Sequence, residues 1–137
     1  MACLDTSTIL DLAGKGGPER KRAAQECLRQ LVDAGEAVVT TRFSVAELWV
    51  GVHQVTDAGR ERSLIDLVKT HLRILGFDDL AARTFGRLRA HLRRIGRPVG
   101  DMDLLIASTA IRHQHSLVTR DRKHFAAIPG LMVHTYP

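Results

Sequence analysis

Short apolar runs alternate with longer amphipathic stretches along this chain, and glycine or proline separates many of them. The short runs are rich in Val, Leu and Ile, which predicts buried β-strands. The longer stretches repeat apolar residues every three or four positions, which predicts helices. Five strands are predicted, at about residues 1–4, 37–40, 72–75, 116–119 and 131–134. Helical segments are predicted at about residues 6–13, 18–34, 44–52, 60–70, 79–95, 101–112 and 121–127.

This alternation of strands and helices predicts an α/β fold with a mainly parallel sheet. The chain has 137 residues, a length that suits one domain spanning 1–137, and no linker divides it. Hydrophobic residues make up 45% and aromatic residues 4%, so we expect an aliphatic core. Cys3 and Cys27 lack metal-ligand spacing and are expected to act as small buried hydrophobes. No charged leader or long apolar run is present, so we expect a cytoplasmic protein without a membrane segment.

The charge balance points to a polyanionic partner. Lys and Arg number 20 against 15 Asp and Glu, which gives a net charge of +5. If several of the acids surround a metal ion, the remaining surface is more basic still. The alternative is a basic surface that only aids solubility. The seven histidines show no recognised metal-ligand spacing, so we expect them at the surface or in a second layer behind a site.

Four carboxylates stand where strands end or helices begin, namely Asp5, Glu47, Asp103 and Asp121. Asp5 and Asp121 each follow a predicted strand, and ligands of open parallel sheets bind beyond the carboxyl ends of the strands. Glu47 and Asp103 fall in the first turns of helices that should start from the same edge. We therefore expect all four side chains to converge. Converged carboxylates repel one another unless a hard divalent cation such as Mg²⁺ or Mn²⁺ neutralises them.

Such a cation would polarise a phosphate and activate a water for in-line attack on a phosphodiester. Each acid taken alone also has a structural explanation. Ser44 and Glu47 match a capping box, Asp101 is placed to cap the helix that carries Asp103, Asp5 could cap the first helix, and Asp121 could be a turn residue. Convergence of all four in one place is what would distinguish a site from four separate caps.

Four segments of the chain together resemble the PIN-domain ribonucleases, specifically the VapC-type toxins of bacterial toxin–antitoxin pairs. These segments are LDTSTIL, SVAELWVG, RPVGDMDLLIASTA and LVTRDRKHF. Their order and spacing carry the resemblance over essentially the whole chain. The resemblance implies a three-layer α/β/α sandwich around a parallel sheet, Mg²⁺- or Mn²⁺-dependent cleavage of RNA, a homodimer, and an antitoxin partner that covers the acidic site.

The resemblance also implies roles for individual residues. Asp5, Glu47 and Asp103 match the three core acids of the family, and Asp121 matches a fourth position that is often Asp or Asn. Asp101 matches a position where acids are common, so it is an auxiliary ligand or a helix cap. Thr6 or Ser7 is expected to hold Asp5 by a hydrogen bond. Apart from the resemblance, cations near the acids would offset their repulsion of an RNA backbone, and we expect these cations to contact phosphates without reading the sequence. They are Arg97, Arg120, Arg122 and Lys123.

Two other functions compete with a metal-dependent endoribonuclease. An acid-cluster phosphatase of the haloacid dehalogenase type needs a second Asp two residues after the first, and Ser7 occupies that position. A catalytically inactive RNA-binding module with a PIN-like fold would not need all four acids. Ser7 therefore argues against the phosphatase, and the presence of all four acids argues against the inactive module. Together with the resemblance, this favours a toxin that hydrolyses RNA.

Overall fold

A computed structural model describes the whole chain, residues 1–137. Strands and helices follow one another in the order β1 (Ala2–Leu4), α1 (Thr6–Leu12), α2 (Pro18–Asp33), β2 (Val38–Thr41), α3 (Arg42–Gln54), α4 (Gly59–His71), β3 (Arg73–Leu75), α5 (Asp79–Arg94), α6 (Asp101–Arg112), β4 (Ser116–Val118), α7 (Arg122–Phe125) and β5 (Val133–His134). All five predicted strands and all seven predicted helices are present, with boundaries that differ by a few residues.

The five strands form one parallel sheet in the order β3-β2-β1-β4-β5. The predicted α/β fold with a parallel central sheet is confirmed. The chain runs outward from β1 to β3 and then returns to place β4 on the other side of β1. The strand order therefore reverses between β1 and β4, and such a reversal opens a crevice beyond the carboxyl ends of the two strands.

Helices cover both faces of the sheet, which gives the three layers expected from the resemblance. Side chains alternate along β1, so that Cys3 faces one helical layer while Ala2 and Leu4 face the other. The Cys3 side packs against apolar residues of α5, α6 and α7, among them the fully buried Leu88 and Leu104. The other side packs against α1, α2, α3 and α4. The core is aliphatic, as the composition predicts.

One predicted helix start and one predicted helix cap were wrong, and both concern the acids. Thr41 is the N-cap of α3, and its Oγ1 accepts a hydrogen bond from the Ser44 backbone N–H at 3.1 Å. The capping box between Ser44 and Glu47 therefore does not exist, and Glu47 lies in the second turn of α3. Gly100, not Asp101, is the N-cap of α6. Capping thus explains neither Glu47 nor Asp101.

Both cysteines are free thiols; Cys3 is buried and Cys27 half-buried. Burial raises the pKa of the Cys3 thiol to about 12, so it stays protonated and packs as a small apolar side chain. None of the helices is both long enough and apolar enough to span a lipid bilayer.

Candidate active site

The four acids singled out in the sequence line one cavity of about 280 Å³ at the carboxyl ends of β1 and β4. They come from four separate segments: Asp5 follows β1, Glu47 lies on α3, Asp103 on α6, and Asp121 precedes α7. The other residues that line the cavity are Thr6, Ser7, Leu10, Ile106, Arg120 and His124. The crevice created by the strand reversal is therefore strongly acidic, with one guanidinium at its wall.

Asp5 is the most buried of the four acids, with 5% of its surface exposed. It caps α1 by accepting the Thr8 backbone N–H at 2.9 Å, and its Oδ2 accepts the Thr119 hydroxyl at 2.5 Å. The Ser7 hydroxyl donates to Oδ1 at 2.8 Å. Burial raises the pKa of Asp5, and these three hydrogen bonds oppose the rise by stabilising the carboxylate. Asp5 is thus both a helix cap and a cavity acid.

Glu47 reaches the cavity from the second turn of α3. The Thr6 hydroxyl donates to Glu47 Oε1 at 2.5 Å, so α1 fixes the position of this carboxylate. Burial raises the pKa of Glu47, and the negative charges of Asp103 and Asp5 raise it further, against the lowering effect of Thr6. The carboxylates therefore repel one another strongly enough to affect their titration.

Asp103 and Asp121 complete the acidic wall. Asp103 lies in the first turn of α6, where the helix dipole favours a negative charge. Burial raises the pKa of Asp103, Asp5 and Asp121 add to the rise, and the nearby His124 opposes it. His124 Nδ1 lies 3.3 Å from Asp103 Oδ2. Asp121 is more open, with 38% of its side chain exposed.

The chemistry of these donors fits a hard cation, because carboxylate oxygens are what Mg²⁺ and Mn²⁺ prefer. Burial raises the pKa values of Asp5, Glu47 and Asp103, and neighbouring carboxylates raise those of Glu47 and Asp103 further. A divalent cation would stabilise the ionised forms of all three. In the conformation described, however, no three Asp, Glu, His or Cys side chains are close enough together to hold an ion. The acids thus match such an ion in type and share one cavity, but they do not form a closed ligand shell.

We expect Glu47→Gln to stabilise the metal-free protein at pH 7 and to have little effect near pH 4. A carboxyl group whose pKa is raised on folding makes the folded state less stable as pH rises through that raised pKa. The amide keeps an oxygen that can accept the Thr6 hydroxyl but carries no charge. Thermal unfolding in EDTA at both pH values measures the effect. Lower stability of the variant at pH 7 would contradict the raised pKa of Glu47.

The remaining predicted site residues lie around the cavity, and only Arg120 lines it. Asp101 points away, with 87% of its side chain exposed, and pairs with Arg89 at 2.6 Å. Arg97 lines a small cavity at the end of α5. Arg122 lines a separate cavity between α2 and β5, and Lys123 is exposed.

Sequence reasoning missed several polar residues that build the site. Thr119 is fully buried and links Asp5 to the Asp121 backbone N–H, which it accepts at 3.0 Å. His124 is at the surface, as expected, with 60% of its side chain exposed, but it also lines the cavity. Asp11 and Tyr136 lie behind the cavity wall and contact each other. The position of Thr119 at the end of a strand next to Asp121 was a usable signal, whereas nothing local marks the other three.

Comparison with known proteins gives consistent relatives for this chain and its fold. The PIN domain family matches residues 2–131. Ribonuclease VapC2 of Rickettsia felis is 31% identical over 78% of this chain and 80% of its own length. The tRNA(fMet)-specific endonuclease VapC of Salmonella typhimurium is 30% identical over 95% of this chain and 93% of its own length. The crystal structure of VapBC2 from Rickettsia felis, bound to a promoter DNA fragment, contains a chain with 28% identity. That chain superposes with a TM-score of 0.86, covering 99% of this chain and 98% of its own.

Proposed function

Because this chain belongs to the PIN domain family, we propose that it is an endoribonuclease that uses Mg²⁺ or Mn²⁺ to hydrolyse RNA phosphodiester bonds, as the toxin of a toxin–antitoxin pair. One observation carries the proposal: acids from four distant segments line a single cavity at the strand reversal. Four separate helix caps would have no reason to meet there. The corrected start of α3 adds weight, since it removes the structural explanation for Glu47.

Asp5, Glu47, Asp103 and Asp121 are the residues that would hold the cation. When bound, the cation supplies Lewis-acid polarisation of the phosphate and lowers the pKa of a water molecule. The protein contributes positioning: the hydroxyls of Ser7 and Thr119 orient Asp5, and that of Thr6 orients Glu47. These hydrogen bonds leave the site ordered before substrate arrives, which lowers the cost of reorganisation during the reaction.

Arg120 is the residue best placed to bind the RNA backbone beside the acids, because its guanidinium lines the same cavity. A positive charge there offsets the repulsion between the carboxylates and a phosphate. Arg122, Lys123 and Arg97 lie outside the cavity, and we propose that they contact phosphates farther along the strand. Contacts of this kind position the strand and make its binding sensitive to salt.

The proposal is tested by incubating the purified protein with a single-stranded RNA oligonucleotide. We expect internal cleavage with Mg²⁺ or Mn²⁺ and no cleavage in EDTA, with restored cleavage when the ion is returned in excess. RNA binding without cleavage under all divalent ions would support the inactive RNA-binding module instead. Hydrolysis of a phosphate monoester with intact RNA would support a phosphatase.

An apolar groove of about 660 Å³ suits the antitoxin that we propose as a partner. It lies between α1, α2 and α4 and is lined mainly by hydrophobic residues, six of them leucines, and Leu67 is 56% exposed. Helix α1 is a wall of both spaces: Ile9 and Leu12 line the groove, whereas Ser7 and Leu10 line the acidic cavity. An antitoxin segment bound in the groove could extend a basic side chain to the carboxylates.

We expect Leu67→Glu to weaken binding of the antitoxin by at least about tenfold, because a charge would face an apolar partner surface. The partner to use is the product of a short reading frame adjacent to the gene. RNA cleavage by the free variant should equal that of the wild type, since Leu67 does not line the acidic cavity. Unchanged antitoxin affinity would exclude the groove as the docking site.

We also propose a homodimer, as the family resemblance implies. Trp49 and Val50 on α3 are 38% and 53% exposed, and a second copy could cover these apolar side chains. Sedimentation of the wild type and of Val50→Glu measures this directly. A wild type that sediments as a monomer at micromolar concentration would contradict the dimer.

A further inference from the structure

A buried carboxylate behind the active-site wall holds the guanidinium that lines the cavity. Asp11, in the last turn of α1, is 1% exposed, and its Oδ1 accepts Arg120 Nη1 at 2.6 Å. Its other oxygen, Oδ2, accepts the Tyr136 hydroxyl at 2.8 Å. Burial raises the pKa of Tyr136, so the phenol keeps its proton and remains a donor at neutral pH. Both oxygens of Asp11 are therefore engaged, and the carboxylate cannot turn.

The main chain around Asp11 leaves no space for it to move either. A Cβ added at Gly16 would lie 2.7 Å from Asp11 Oδ1, closer than such contacts occur. The same atom would lie 2.7 Å from Cδ of Arg20, which is a flexible side chain and can move aside. The constraint on residue 16 therefore comes from Asp11. The absence of a side chain at Gly16 therefore lets the loop lie close to the carboxylate.

The Arg120 guanidinium keeps N–H donors that no acceptor within the protein uses. A guanidinium has five N–H donors, and the bond from Nη1 to Asp11 is the one hydrogen bond that this side chain makes within the protein. Nε lies 3.7 Å from Asp121 Oδ1, so the side chain stands beside a metal-binding acid. Without Asp11 it would be free to fall onto that acid. Asp11 itself does not line the cavity, so we expect it to act on RNA through Arg120, the cavity residue that it contacts.

We propose that Asp11 is a positioning residue, fixed by Tyr136 and by the close approach of Gly16, that holds the Arg120 guanidinium ready to bind a phosphate of the RNA. The inference rests on the proposed ribonuclease function and deepens it. A buried ion pair adds little stability compared with well-packed apolar residues, so stability alone does not account for it. A rigid fork of donors, in contrast, is worth most where a phosphate must be held in one orientation.

The test is a double-mutant cycle on RNA cleavage. We expect Asp11→Asn to raise KM for the RNA about tenfold, the loss of one charge-assisted contact, while kcat changes less than about threefold. Arg120→Ala should give a similar rise in KM and reduce the salt dependence of RNA binding by about one ion. The double variant should be no worse than Arg120→Ala, because Asp11 acts only through Arg120.

Additive effects on KM, or a loss confined to kcat, would overturn the inference while leaving the ribonuclease in place. A wild type that neither cleaves nor binds RNA would overturn the proposed function itself. Should Asp11→Asn fail to fold, Gly16→Ala and Tyr136→Phe perturb the same carboxylate more mildly. Both should raise KM in the wild-type background and have no effect in the Arg120→Ala background; an effect that persists there would overturn the inference.

Discussion

Replacing Asp103 by Asn is expected to reduce RNA cleavage by about 10³-fold or more while making the metal-free protein more stable at pH 7. The loss of rate follows because metal-ion catalysis contributes several kcal/mol and each ~1.4 kcal/mol is tenfold. The gain in stability follows because burial and the charges of Asp5 and Asp121 raise the pKa of Asp103, so its ionised form disfavours folding. Asp5→Asn should reduce the rate of cleavage by a similar factor. A variant that loses activity but gains stability indicates that the residue is there for function and not for stability.

The measurements are initial rates on an RNA oligonucleotide in Mg²⁺ and thermal unfolding in EDTA. The matched control is Asp79→Asn, since Asp79 is 85% exposed and pairs only with Arg83 on the surface of α5. Asp101→Asn decides between an auxiliary ligand and a structural role, and the exposed ion pair with Arg89 leads us to expect less than about threefold loss of rate. Full activity of Asp103→Asn would remove the basis for a metal-dependent nuclease at this cavity.

Thr119→Val is expected to lower the free energy of unfolding by about 2 kcal/mol at pH 7, although valine has nearly the same shape. Thr119 is fully buried, donates to Asp5 Oδ2 at 2.5 Å and accepts the Asp121 N–H at 3.0 Å. The variant would leave a buried carboxylate and a backbone donor without this partner. Because the Thr119 bond lowers the pKa of Asp5, its contribution should shrink as pH falls and Asp5 is protonated.

Thr109→Val is the matched control for this experiment. Thr109 is equally buried, but its hydroxyl donates only to the Leu105 carbonyl one turn earlier in α6, at 2.8 Å. Its loss should cost less than about 1 kcal/mol and should not depend on pH between 4 and 7. Urea denaturation followed by circular dichroism gives both values. Equal losses of unfolding free energy for the two variants would mean that the hydrogen bond from Thr119 to Asp5 contributes no more stability than an ordinary buried hydroxyl.

The order of strands and helices could be predicted from the sequence because apolar periodicity and helix stop signals are local. Gly35 and Gly96 both follow helix ends with positive φ, and Pro18 opens α2, so these boundaries were readable. The start of α3 was not, because β2 runs into the helix without a loop. There Thr41, the last residue of β2, also provides the cap. Ser44 looked like the better cap only because the strand was taken to end earlier.

The acids of the site were predictable because their positions at strand ends and helix starts are also local properties. Their supporting contacts were not. Arg120 and Tyr136 reach Asp11 across 109 and 125 residues of sequence, and neither partner carries a pattern that announces the pairing. The directions of side chains were also hidden: Arg120 and Arg122 lie two residues apart yet line different cavities. Tertiary packing decides which side chains pair over such distances, and the spacing of residues along the chain does not predict it.

Helix α1 separates the apolar groove from the acidic cavity with only seven residues, and each space takes its wall from a different side of that helix. Because α1 is so short, a displacement of it would change the walls of both the groove and the cavity. If a peptide seated among the leucines alters the affinity of the carboxylates for a cation, thermodynamic linkage requires the cation to alter the affinity for the peptide by the same factor. Release of the toxin from its inhibitor would then depend on the concentration of free divalent ions. Calorimetric titrations of the peptide at several ion concentrations would measure this dependence.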